Sequence, residues 1–273
     1  MIEALLATTP ALNRAALRRA IAVQRRVIWA LMLRETLTRY GRHNIGFLWL
    51  FVEPMLFTLG VTALWHATGM THGSQLPIMA FALTGYSTIL LWRNMPGRCV
   101  GAVGANLPLL YHRHVRVADI FLSRVALEAA GATMSFTLLG LVLIAGEWID
   151  PPEDFLLLAW AWALTAWFGA ALALMLGSLA EGSEWVEKLW HPAAYLLFPL
   201  SGAAFLMDAL PADFQAVLGW IPMVHCTEMI RAAWFGSQIV PHYDTAYLVA
   251  CNLGLSLMGL ANERRLSRSA VPE

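Results

Sequence analysis

The chain has 273 residues, 59% of them hydrophobic and only 13% charged, and its formal net charge is zero. A soluble domain carries about twice that charged fraction, so this composition excludes an ordinary soluble domain and predicts an all-α polytopic membrane protein. The single lysine, Lys188, follows Glu187 rather than glycine, which excludes a Walker A phosphate loop and means that another subunit must hydrolyse any ATP.

Residues 10–38 are predicted to form an amphipathic helix ahead of the first membrane span. On one face, residues recur at helical spacing: Leu17, Ile21, Gln24, Ile28 and Leu31. Arginines repeat at seven-residue spacing on the other face, and this density of charge is too high for a span. We therefore expect the helix to lie on the membrane surface against anionic lipid, the alternative being a soluble helix packed on a partner protein.

Six later stretches are predicted as membrane spans, since roughly 20 helical residues cross a hydrocarbon core about 30 Å thick. They lie at about 45–65, 76–92, 120–145, 155–179, 190–206 and 243–260. The second can be extended past Arg93, Pro96 and Arg98 to Gly104, which would make it long and partly wet. The predicted units are a cytoplasmic segment (1–44), a six-span domain (45–262) and a cytoplasmic tail (263–273).

Residues 208–242 differ from the spans, because prolines break them into two short apolar pieces, Phe214–Trp220 and Met223–Trp234. Neither piece is long enough to cross a bilayer. We expect a helical hairpin that enters the outer leaflet and returns to the same side.

Positive charge is distributed unevenly around these stretches. Of the 18 lysine and arginine residues, 17 precede the first span, lie around the second-to-third connector, or follow the fourth and last spans. Only Arg231 lies on the opposite side. By the positive-inside rule, both termini are predicted to be cytoplasmic.

Three charged residues fall inside the predicted spans: Glu53, Arg93 and Arg98. A charge within the bilayer costs on the order of 2.5–3.5 kcal/mol on insertion scales. We expect Glu53 to pair with Arg93 or Arg98, or all three to line a hydrophilic path, with snorkelling to the interface as the alternative. Aromatic residues inside the fourth span suit either sugar stacking or packing: Trp160, Trp162 and Trp167.

The cysteine, histidine and serine residues do not form a recognisable catalytic or metal-binding motif. The three cysteines are far apart and suit apolar packing. The histidines form no HExxH motif, and no serine lies in a GxSxG context. The first 40 residues are too rich in arginine for a cleavable signal peptide. We predict no catalytic residue, no metal ligand and no nucleic-acid partner.

Short motifs over about residues 25–262 resemble those of polysaccharide-exporting ABC permeases. Arg39-Tyr40-Gly41, Gly46-Phe47-Leu48-Trp49 and Glu53-Pro54 resemble the first-span signature. A second set of motifs resembles those of the capsular polysaccharide branch: Arg93-Asn94, Arg98, Ala105-Asn106, Leu109-Leu110-Tyr111, Arg124 and Leu127-Glu128. Leu210-Pro211, Trp220 to His225, Glu228 and Arg231 resemble the external hairpin.

The resemblance implies an inner-membrane transport subunit that is not an enzyme. Two copies would form the channel, and two separate ATPase subunits, which carry ATP and Mg²⁺, would bind beneath; the chain itself would bind no cofactor. The connector after the second span would be a coupling helix seated on the ATPase, formed by Ala105, Asn106, Leu107, Leu109, Leu110, Tyr111 and His112.

The implied cargo is a lipid-linked capsular polysaccharide. Candidate residues of the translocation path or its entrance are Arg42, Trp49, Glu53, Arg93, Arg98 and Arg124. Those of a periplasmic gate are Pro222, His225, Glu228 and Arg231. Periplasm-spanning and outer-membrane export proteins are further candidate partners. The alternatives are export of O-antigen, teichoic acid, drugs or small lipids, or a membrane-embedded enzyme acting on lipid-linked sugars.

Overall fold

The computed structural model describes residues 14–40, 44–68, 76–111 and 115–269. Every regular element in these ranges is a helix. In chain order the α-helices are α1 (Arg14–Tyr40), α2 (Asn44–Thr68), α3 (Ile78–Cys99), α4 (Ala102–Ala105), α5 (Leu107–Leu110), α6 (Val117–Ala145), α7 (Phe155–Ala180), α8 (Glu184–Leu200), α9 (Ala212–Leu218), α10 (Pro222–Phe235) and α11 (Thr245–Ser269). Short 3₁₀ turns occupy Met207–Ala209 and Gly236–Gln238.

Polar residues mark where the long helices begin. The Asp154 carboxylate accepts a hydrogen bond of 2.8 Å from the Leu157 amide and so caps α7. Asp119 accepts from the Arg116 amide at 2.9 Å in the first turn of α6. Pro222 opens α10, where its missing N–H is not needed. The α6 and α7 starts agree with the predicted spans to within about three residues.

Helix α7 lies at the centre of the fold, packed against α3, α10 and α11. Glycines permit these close approaches. A Cβ on Gly169 would lie 2.8 Å from the Cα of Trp92 in α3, and one on Gly259 of α11 would lie 2.9 Å from the Met175 amide nitrogen. Since α7 is apolar on all sides, protein and lipid must together cover its whole circumference.

Within the described ranges, three helices are long and apolar enough to cross a membrane: α6, α7 and α11, the last over Thr245–Arg268. The other predicted spans correspond to α2, α3 and α8. The all-helical membrane class is confirmed, while the number of crossings remains a prediction. Helix α3 continues through Pro96 to Cys99, beyond the shorter version of the second stretch but not to Gly104 as in the longer one.

The fifth predicted span and the observed helix differ in position. The apolar stretch was expected to run from 190 to 206, but α8 ends at Leu200. Pro199 and Gly202, whose φ is +81°, lie where the helix gives way to a loop that continues to Leu206. Apolar composition alone does not distinguish the last turn of a helix from a buried loop.

The hairpin contains two helices at the expected positions, α9 and α10. Every residue from Met223 to Phe235 is buried, so α10 packs inside the protein against α3, α7 and α11. Entry of this hairpin into the outer leaflet remains a prediction.

Helix α1 packs against α6 and α2. Of the residues expected on its apolar face, Gln24, Ile28 and Leu31 are half-buried, whereas Leu17 and Ile21 are exposed. The packed face is therefore partly polar, because Gln24 donates a hydrogen bond to Asp119 of α6.

Candidate functional site

The predicted coupling segment forms two single-turn helices, α4 and α5. Gly101, with φ +68°, turns the chain out of α3 and into this segment. Leu107 and Tyr111 are exposed, and Leu109 and Leu110 are half-buried. An exposed apolar surface on a short, well-bounded segment is typical of a protein-docking site.

Asn106 differs from its neighbours because it is buried between α4 and α5. Its Nδ2 donates to the Ala102 carbonyl at 2.8 Å, and its Oδ1 accepts from Arg34 Nη1 at 2.5 Å. Asn106 therefore ties the connector to α1 from the inside and is not part of its exposed surface. Ala105 is exposed.

The turn between α7 and α8 holds the connector from its other side. Glu181 accepts a hydrogen bond of 3.0 Å from the Val103 amide. The Glu187 carboxylate lies 3.2 Å from the position that a Cβ on Gly101 would take. This turn and the start of α8 thus pack directly beside the connector.

Two of the candidate path arginines belong to a cluster of charged groups behind the connector. Arg98 Nε lies 3.1 Å from Glu128 Oε1, and Arg39 Nη1 also donates to that oxygen. Arg39 Nε pairs with Glu35 at 2.9 Å. Arg124 Nε lies 3.4 Å from Glu35, and its Nη1 donates to the Arg98 carbonyl at 2.5 Å.

Burial alone would lower the pKa of Arg39, but Glu128 and Glu35 outweigh it, so the pKa is raised and the guanidinium keeps its charge. Among the described side chains, Arg98 pairs with Glu128. The expected pairing with Glu53 remains a prediction, since the Glu53 side chain lies outside the described residues. No local spacing in the sequence relates Glu128 to Arg98 or Arg39.

Arg93 has a different environment. Its guanidinium lies 4.4 Å from the centre of the Tyr195 ring of α8, a cation–π arrangement. Tyr195 is 67% exposed, so the pair lies at the surface of the chain. Sequence reasoning missed Tyr195, because the two residues are far apart along the chain and no motif connects them.

The candidate gate residues brace the hairpin. Arg231 is fully buried, and its guanidinium donates to the carbonyls of Gly202 at 2.6 Å, Ala203 at 2.6 Å and Phe205 at 2.5 Å. It also lies 3.8 Å above the Phe81 ring. Arg231 of α10 therefore organises the loop that follows α8.

Glu228 and His225 bind backbone groups in the same hairpin. Glu228 accepts from the amides of Met207 at 3.2 Å and His242 at 3.3 Å. His225 Nδ1 accepts from the Asp244 amide at 2.9 Å, so Nε2 carries the proton and donates to the Gly219 carbonyl at 2.8 Å. These residues join α10 to the segments on both sides of it.

The family model for ABC-2 type transporters matches residues 26–235, a range that includes most of α1, the connector and the buried helix of the hairpin. The chain belongs to the ABC-2 type transporter family. The resemblance to ABC permeases is thereby confirmed at the level of the family.

Three relatives from this family are similar over most of their length. The chain is 45% identical over 263 residues to the capsule polysaccharide export inner-membrane protein CtrC of Neisseria meningitidis, covering 96% of this chain and 99% of that protein. It is 42% identical to BexB of Haemophilus influenzae, a protein of the same description, and the match covers 94% of this chain and 97% of that protein. It is 28% identical to the polysialic acid transport protein KpsM of Escherichia coli, and the match covers 89% of this chain and 95% of that protein.

Four candidate residues of this ABC-2 chain fall, wholly or by their side chains, outside the described residues. Arg42 and His112 lie outside the described residues, and so do the side chains of Trp49 and Glu53. Pro222 is half-buried in the first turn of α10. Across the part of the chain that the structure describes, no three His, Cys, Asp or Glu residues are grouped to hold a metal ion.

Proposed function

We propose that this chain is the permease subunit of an ATP-driven exporter that moves lipid-anchored capsular polysaccharide across the bacterial inner membrane. The observation that carries the proposal is 45% identity to CtrC over nearly the full length of both proteins. BexB and KpsM, whose names also concern capsule export or polysialic acid transport, support it. No observation favours O-antigen, teichoic acid or an enzymatic function over this cargo.

In the proposed topology, α2, α3, α6, α7, α8 and α11 cross the membrane and both termini are cytoplasmic. The arginine asymmetry supports this orientation. It places the connector and α1 on the cytoplasmic side and the hairpin on the periplasmic side.

The ATPase partner is proposed to bind the connector. Leu107 and Tyr111 are exposed there, and Leu109 and Leu110 support them from a half-buried layer. Two permease copies and two ATPase subunits would form the transporter. Closure of the ATPases on ATP would push the connector, and α3, which runs into it through Gly101, would carry that movement into the membrane.

Arg93 is the best-supported candidate for the translocation path. It is half-buried beside the exposed ring of Tyr195, and an arginine next to an aromatic face can contact both the charge and the apolar face of an acidic sugar. Arg98 and Arg124 are engaged with carboxylates and backbone, which favours a bracing role for them. Arg42, Trp49 and Glu53 remain candidates for the entrance.

The direct test is transport by the reconstituted permease and its ATPase in proteoliposomes. We expect ATP-dependent uptake of labelled lipid-linked capsular polymer into inside-out vesicles, and no ATP hydrolysis by the permease alone. Cysteines at positions 107 and 111 should react only with reagents that reach the cytoplasm. Labelling of these cysteines from outside the cell, or ATP hydrolysis by the purified permease alone, would contradict the proposal.

A further inference from the structure

We infer that Glu128 is the centre of an ionic hub that joins α1, α3 and α6 next to the connector, so that the connector and α1 move together during transport. The inference rests on the proposed function, because it concerns how movement of the ATPase reaches the membrane. The ionic hub consists of Glu128, Arg98 and Arg39 at its centre, with Glu35 and Arg124 completing the cluster.

One carboxylate receives guanidinium groups from two helices. Arg39 comes from the last turn of α1, and Arg98 comes from the last turn of α3, three residues before Gly101. The Glu128 side chain is only 8% exposed. Since Glu128 itself belongs to α6, three helices meet at a single oxygen atom.

The hub also holds the backbone from which the connector leaves. Arg124 of α6 donates to the carbonyl of Arg98 at 2.5 Å, next to the end of α3. Five residues after the turn at Gly101, Arg34 of α1 donates to Asn106 inside the connector. The segment between these two contacts is therefore attached to α6 at its start and to α1 further along.

Helix α1 is anchored at a second point. Gln24 donates to Asp119, the residue that closes the first turn of α6. Gln24 and Arg39 are about 22 Å apart along α1 at the rise of an α-helix. Two polar anchors so far apart fasten α1 to the first half of α6, so we expect α1 and the base of the connector to move together.

The depth of the hub agrees with this role. The part of α6 from Glu128 to Ala145 is about 26 Å long, and the part of α3 from Ile78 to Arg98 is about 30 Å long. Both lengths match the hydrocarbon core of a bilayer, about 30 Å. In the proposed topology the hub therefore lies at the cytoplasmic edge of the membrane, where connector movement first reaches the spans.

Energetics make the hub sensitive to the loss of a single charge. Its three guanidinium groups and two carboxylates leave one positive charge in excess, so neutralising Glu128 would leave two. Removing one member of a buried ion pair costs far more than replacing both, because the remaining charge is left without compensation. Glu128→Gln should therefore separate α1 from α3, while Glu128→Gln with Arg98→Gln restores neutral, hydrogen-bonding partners.

The test uses the complete transporter reconstituted in proteoliposomes and measures polymer transported per ATP hydrolysed. We expect Glu128→Gln to lower this ratio by about tenfold, as expected for members of one ionic network, with the ATPase still copurifying and still hydrolysing ATP. The double variant should recover most of the ratio. Glu184→Gln is the matched control, since its 2.8 Å pair with Lys188 is solvent-exposed, and it should behave as wild type.

Arg98→Gln alone keeps the inference testable if Glu128→Gln fails to accumulate, because Arg98 is 42% exposed and Glu128 would keep Arg39 as its partner. We expect a smaller but clear fall in the transport ratio. An unchanged ratio in Arg98→Gln, or strictly additive effects in the double variant, would overturn the inference. Absence of transport by the wild-type complex would instead contradict the proposed function.

Discussion

The ionic hub and the hairpin both bury arginine, but they satisfy its charge in different ways. In the hub, Arg39 and Arg98 are paired with carboxylates from other helices. In the hairpin, Arg231 is bound by three backbone carbonyls and a phenylalanine ring. Ion pairs between side chains can separate and form again, whereas backbone carbonyls move only with their loop. The comparison indicates a movable joint at the ionic hub and a fixed brace in the hairpin.

The largest effect is expected from Arg231→Lys, which keeps the charge but removes the planar fork. An ammonium cannot reach all three carbonyls, and leaving buried groups unpaired costs about 3–5 kcal/mol in total. We expect a large drop in the thermal unfolding temperature in detergent, together with protease sensitivity near residues 201–210. Arg268→Lys, on the exposed side of α11, is the control. Wild-type stability of Arg231→Lys would mean that the brace is not rigid.

The second effect tests the space around the same guanidinium. A Cβ on Gly85 would lie 2.8 Å from the Ala203 carbonyl oxygen and 2.9 Å from Arg231 Nη2. Gly85→Ala should therefore destabilise the protein by about 1–3 kcal/mol, the usual cost of overpacking. Gly254→Ala is the matched control, because among the described residues no atom outside the local helix backbone lies within 4 Å of the new methyl group, and alanine favours a helix. Equal melting temperatures for the two variants would contradict the close packing.

This contrast also explains how much could be predicted from the sequence. Helix positions follow from hydropathy and local caps, so the all-helical class and the positions of α9 and α10 were predicted correctly, while a hairpin that re-enters the membrane remains a prediction. Long-range pairing does not follow from local pattern. The expected pairing of Glu53 with Arg93 or Arg98 remains a prediction, because the Glu53 side chain lies outside the described residues. Arg98 contacts Glu128 and Arg93 lies on the Tyr195 ring, and no local pattern indicates either contact. The C-terminal end of α8 was misplaced because its following loop is apolar and satisfied by Arg231.

The site residues divide along the same line. The connector is visible in the sequence as a short apolar segment among charges, and Leu107 and Tyr111 are exposed in the structure. Its binding to an ATPase remains a prediction. Asn106 is predicted to belong to the same coupling segment, and the structure buries it against Arg34. A polar residue next to apolar ones gives no sign of which side it faces.

The smallest effect concerns His225, which links α10 to both neighbouring segments through one ring. Asn can place an oxygen near Nδ1 and keep the bond from the Asp244 amide, whereas Gln can place an amide near Nε2 and keep the bond to the Gly219 carbonyl. Each variant should lose about 1 kcal/mol, the net contribution of one hydrogen bond, and His225→Leu about twice that. Thermal unfolding of the purified permease measures all three.

His191→Gln, on the exposed part of α8, is the control and should not change the unfolding temperature. If Asn and Gln each destabilised the protein as much as Leu, the two bonds of His225 would act as one unit. The hairpin would then be a single rigid piece that moves only as a whole. If instead only the Asn variant were destabilised, the link to Asp244 would contribute little, and α10 would be free to move relative to α11 without losing its own turn at Gly219.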